Sequence, residues 1–213
     1  MTSMTLEKPQ RTHQSALRWL PLAGAAYAVL GIASDLVIDR FPDENTSTSA
    51  LTQYYAVHHA QVGLGGQIAM LSSLFLGLFA AGLAARTRHL PAVAAIIAVG
   101  GAAMMALDAQ TGAFYALLGQ IGNDPNVDPA ALQAWHIGGA AYGSSVPSIL
   151  FFVGIAFAVF TGRIAPRWVG WTSAALAVGL LVPGLIGFFV AMISLLWFVA
   201  AGITLTVRSA ATD

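Results

Sequence analysis

Six apolar runs divide the chain, each parted from the next by a short polar connection. Read as spans they cover residues 19–38, 61–85, 91–118, 130–160, 168–182 and 185–207. Most are close to the roughly 20 residues that cross a bilayer core of about 30 Å as helix. The pattern predicts an all-α fold, a polytopic six-helix transmembrane bundle over residues 17–208 with a disordered polar tail at 1–16 and a short one at 209–213.

Polar residues interrupt these runs unevenly. The run from Pro91 to Leu118 carries a single acid, Asp108. An ionised carboxylate in hydrocarbon costs at least about 2.5 kcal/mol, so Asp108 must face protein or water, or stay protonated. Asp108, Thr111 and Tyr115 stand at i, i+3 and i+7 and share one helical face. Asp35 and Asp39 lie four apart at the end of the first run. The stretch 49–67, SALTQYYAVHHAQVGLGGQ, reads as the most polar helix, starting outside the hydrocarbon and continuing into the second span. Its glycines, Gly63, Gly65 and Gly66, predict close approach of a neighbouring helix, as does the Gly139/Gly143 spacing. Pro147 predicts a kink in the fourth span. Asp128-Pro129 suits an N-cap and first helical position. The last two spans hold no charge between Trp168 and Val207 and read as scaffold.

Composition agrees: 57% of the 213 residues are hydrophobic and 8% charged, where soluble domains carry roughly 25% charge. The absence of cysteine excludes disulfides, thiolate ligands and iron–sulfur clusters. Eight of the nine Lys and Arg residues fall on one side of the bundle, Arg40 being the exception, and the acids of the loops fall on the other. The positive-inside rule then places both termini in the cytoplasm of a cell whose inner (plasma) membrane the chain crosses. Nothing resembles a basic, aromatic-rich surface for nucleic acid. Ala26-Tyr27-Ala28 looks like a signal-cleavage site, but the run continues to Ile38, so an uncleaved first span is expected.

Counted by helical rise, the polar residues of the first four spans converge in the outer half of the membrane. A shared outward-facing pocket is expected, with Asp108, His136 and Asp35 as catalytic candidates. Gln67, Thr111, Tyr115, Gln133, Trp135 and Tyr142 are the candidates for substrate contacts. Acid/base chemistry on a lipophilic molecule (isomerisation, cyclisation or hydrolysis) fits such a pocket. An ion-coupled transporter or carrier, or a metal- or haem-binding or accessory subunit, fits as an alternative. No cofactor is expected. A metal, if bound, would be held by His59, His136 and Asp108, since adjacent rings at His58 and His59 point about 100° apart and cannot readily share an ion. Each signal also has a plainer reading: an interhelical hydrogen bond for Asp108, solvated or capping roles for the histidines. The expected partners are lipid or a hydrophobic small molecule, the membrane itself and a second copy of the chain.

A basic start, the loop FPDE (41–44) leading into ALTQYYAVHHAQ (50–61), and PRWVGW (166–171) together resemble a family of small six-helix bacterial integral membrane proteins to which no activity is assigned. The resemblance implies the six-helix architecture and no chemistry.

Overall fold

The computed structural model of this chain describes residues 19–38, 41–43, 45–141, 145–182 and 185–210. Among these the fold is entirely helical: α1 (Leu22–Ile38), α2 (Thr48–Arg86), α3 (Pro91–Ile121), α4 (Pro129–Ala141), α5 (Ser145–Gly162), α6 (Arg167–Gly179) and α7 (Leu185–Ala210). Among the described residues three stretches are long and apolar enough to cross a membrane: α2, α3 and Phe189–Arg208 of α7. α1 and the Val146–Gly162 part of α5 are apolar but shorter, and α6 has 13 residues, about 20 Å. The two terminal tails and Asp39, Arg40, Glu44 and Tyr142 lie outside the described residues.

α2 runs unbroken for 39 residues, about 58 Å, nearly twice the thickness of a hydrocarbon core. The polar stretch 49–67 is therefore one helix with the apolar segment after it. Ser47 caps it, its hydroxyl accepting from the Ala50 amide, and Thr87 closes the far end by donating to Leu83 and Ala84 carbonyls. Pro91 then opens α3 at a position where a missing N–H costs nothing.

Glycine determines how these two helices meet. A Cβ at Gly66 would collide with the backbone of Gly112 and Ala116, and one at Gly119 with the backbone of Gly63. The α2–α3 seam is thus backbone against backbone, which only glycine permits. Gly65 faces the other way, toward α1, where Ser34 donates to its carbonyl at 2.9 Å. α1 lies antiparallel on the second half of α2, pinned again where Ser72 donates to the Tyr27 carbonyl. α5 runs antiparallel beside α3, with Phe151 against Gly100 and Gly154 against Ile97. α7 packs on α1, the Pro21 carbonyl lying against Gly202.

The middle of the bundle is filled by Phe79, Phe151, Phe152, Trp197 and Phe198. Phe151 and Phe198 stack at 6.1 Å, and Phe152 meets Trp197 edge-on at 5.1 Å. α7 therefore supplies core as well as outer wall.

The span expected over 130–160 is helical over Pro129–Ala141 (α4) and Ser145–Gly162 (α5), with residues 142–144 outside the described ones. Pro147 lies near the start of the described part of α5, and the kink expected around it falls partly on residues 142–144, outside the described ones. α4 packs across α2 and α3 near their loop ends, Tyr55 of α2 meeting His136 of α4.

Candidate functional site

Gly101, Met105, Asp108 and Gly112 repeat along the face of α3 that meets α2, so Asp108 lies on the seam rather than on the outer wall. From α1, the Tyr27 hydroxyl donates to Asp108 Oδ2 at 2.8 Å. The Tyr27 ring is buried and held edge-on by Phe198 at 4.8 Å. A hydrogen bond of this kind supplies the polar partner that a carboxyl group in an apolar helix needs. Thr111, one turn further along α3, satisfies itself by donating to the Leu107 carbonyl at 3.0 Å. Asp35 is exposed on α1.

A second polar station stands nearer the acidic loops. His136 of α4 is fully buried, and its Nδ1 lies 3.0 Å from the Tyr55 hydroxyl of α2. The loop residue Phe41 stacks on the His136 ring at 4.8 Å and meets Tyr115 at 4.9 Å. Tyr54 donates to the Ile38 carbonyl at 3.1 Å and stacks on His58 at 4.5 Å. Thr48 donates to Gln133 Oε1, tying the start of α4 to the start of α2. Trp135 is exposed and rests 5.8 Å from Phe114. These contacts give Gln133 and Trp135 structural work.

The expected single pocket therefore resolves into two stations. Tyr55 packs against Gly122, about 21 Å of helical rise from Asp108 along α3, and Tyr115 stands between at about 10 Å. Asp108 is joined to Tyr27, and His136 to Tyr55. Gln67 is exposed on α2. His59 is half-buried, with an Nδ1 that finds no hydrogen-bond partner among the described residues. Among those residues no three His, Cys, Asp or Glu side chains converge as a metal would require, so His59, His136 and Asp108 form no such set. Tyr27 and Tyr55 were not legible as site residues from spacing. Tyr27 had one signal, being the only hydrogen-bonding side chain between Leu20 and Ala33.

Among the clefts lined by described residues are two that do not include Asp108 or His136. One, of about 530 Å³, is an apolar groove bordered by Leu74, Gly77, Ala98 and Met105. It opens on the side of the α2–α3 seam away from α1, whereas Asp108 turns toward α1. The other, of about 570 Å³, lies where α5, α6 and α7 meet at the basic end. Compared with known proteins, the chain matches no family model, no curated protein and no solved structure.

Proposed function

We propose that this chain is a six-span protein of the bacterial plasma membrane, both termini cytoplasmic, that carries out acid–base chemistry on a lipophilic small molecule. Asp108, in its protonated form, is the acid, Tyr27 holds its carboxyl group in place by donating to Oδ2, and Asp35 is the carboxylate that receives the proton lost from a neighbouring substrate position, both acids being reset by proton exchange with water between turnovers. In an isomerisation or cyclisation the protons given and taken balance, and no co-reactant is needed. The His136–Tyr55 station, covered by Phe41, borders the route from the outer leaflet through Tyr115.

The observation that carries this reading is the 2.8 Å bond from Tyr27 to Asp108, a phenol and a carboxyl group paired between helices in a setting where each is costly alone. The block of Phe79, Phe151, Phe152, Trp197 and Phe198 fills the bundle between this pair and the basic end, which favours a one-sided reaction site over a conduit.

Deuterium reports such chemistry without knowledge of the substrate. Proteoliposomes containing native lipid extract are incubated in D2O, and the lipids are compared by mass spectrometry for wild type and Asp108→Asn. Deuterium gained by one lipid class with wild type alone is the expected result. Equal incorporation with the folded variant, or none with either, removes the proposal.

A further inference from the structure

We propose that the apolar groove between α2 and α3 seats α2 of a second copy of this chain, making the protein a two-fold dimer about an axis along the membrane normal. Leu74 and Leu78 of α2 form one bank of the groove and Ala98 and Ala102 of α3 the other, with Gly77 and Met105 between them. This pairing requires only that α2 crosses the membrane, and it does not depend on the acid–base reading of Asp108.

The bank on α2 belongs to a longer seam. Leu64, Gln67, Leu71, Leu74 and Leu78 are all exposed and recur every three or four residues, the spacing with which one helix packs along another. α7 exposes a stripe of the same spacing, Ile193, Leu196, Ile203 and Val207, but that stripe is apolar and lipid tails satisfy it. Gln67 sets the α2 seam apart. It stands 19 residues before Arg86, about 28 Å of helical rise, which is just inside a hydrocarbon core of about 30 Å that begins at Arg86. Its side-chain amide has no hydrogen-bond partner among the described residues. A lipid tail offers an amide nothing, whereas a polar group on a second helix does.

Symmetry selects a second copy as the occupant. Two copies inserted the same way about an axis along the membrane normal bring each residue opposite itself at equal depth. Gln67 then meets the same glutamine of the second copy, and an amide, being both donor and acceptor, can satisfy its own kind. The apolar surfaces match by the same rule. Gly77 is level with Met105 and Ala80 with Gly101, so Leu78 is level with Ala102, and the leucine ridge of one copy lies at the depth of the alanine bank of the other. Two helices about 10 Å wide across a core of about 30 Å present a face of about 600 Å². That approaches the roughly 800 Å² that each partner buries in a stable complex.

The chain has no cysteine, so introduced thiols test the face in native membranes. Under mild oxidation with copper phenanthroline, Leu74→Cys should form a disulfide-linked dimer at least tenfold faster than Leu196→Cys on α7, which is comparably exposed at 65% against 58%. Single-molecule photobleaching of the full chain in phosphatidylcholine liposomes, diluted stepwise, then gives the dimer constant. Gln67→Leu should weaken it about three- to tenfold. Ala102→Phe fills the groove from an exposed position, which spares the fold of each copy, and should weaken it at least tenfold. Single-step bleaching of the unaltered chain, equal cross-linking at positions 74 and 196, or undiminished association in either variant would overturn the dimer. A monomer that retains phospholipid through purification would also overturn it, giving the groove to an acyl chain.

Discussion

The Tyr27 hydroxyl and the Asp108 carboxyl group meet at 2.8 Å across 81 positions of sequence, the point at which α1 is tied to α3. The worth of this bond in a membrane is set by what each partner finds when the other is gone. Interhelical hydrogen bonds in bilayers average about 0.6 kcal/mol and reach about 1.7. Tyr27→Phe keeps the ring against Phe198 and deletes only the donor, and Asp108→Asn keeps the shape of the acceptor. A double-mutant cycle on these two, followed by unfolding in detergent, should give a coupling of about 0.5 to 2 kcal/mol. Additive effects would show that the bond contributes nothing to the fold.

Glycine substitutions along the bundle should divide sharply. Gly119→Ala drives a methyl into the backbone of Gly63, which cannot yield as a side chain can, and should destabilise the protein by about 3 kcal/mol or prevent folding. Gly31→Ala meets only Leu195 and Ser72 at ordinary distances, 3.8 and 3.9 Å, and should be neutral or gain up to about 1 kcal/mol of helix propensity. Thermal melts of the two variants decide it; similar values would mean that the seam is looser than described.

Phe41→Ala removes the ring that stacks on His136 and leans on Tyr115. The half-buried position should cost about 2 to 3 kcal/mol, less than a fully buried phenylalanine. Because α4 is held to α2 chiefly at this end, the loss should appear as faster amide exchange in 129–141 with α3 unchanged. Unchanged exchange in α4 would show that Phe41 is not what keeps it in place.

The chain has no cysteine, so single introduced thiols report its topology without background. Asn126→Cys, in the loop after α3, should react with a membrane-impermeant maleimide in intact cells. Arg88→Cys, in the turn between α2 and α3, should react only after the membrane is opened. Reversed labelling would invert the proposed orientation, and labelling of both in intact cells would deny that α3 crosses.

Sequence alone determined the needs of each position. The polar stretch 49–67 could be read as one helix with the second span because the capping serine and the helical repeat are local, and local geometry is written in neighbouring residues. The need of Asp108 for shelter was equally plain, since the penalty for a carboxylate in hydrocarbon does not depend on fold. The glycines at 63, 65 and 66 announced close contact but not with whom. Tertiary structure alone decided that Gly66 meets α3 while Gly65 meets α1, that Tyr27 rather than His136 reaches Asp108 Oδ2, and that Tyr55 reaches His136. The physical reason is that a partner depends on the rotation and depth of two helices far apart in the chain. Those are set by how the backbones seat against each other along the seam, and no repeat within one helix encodes them.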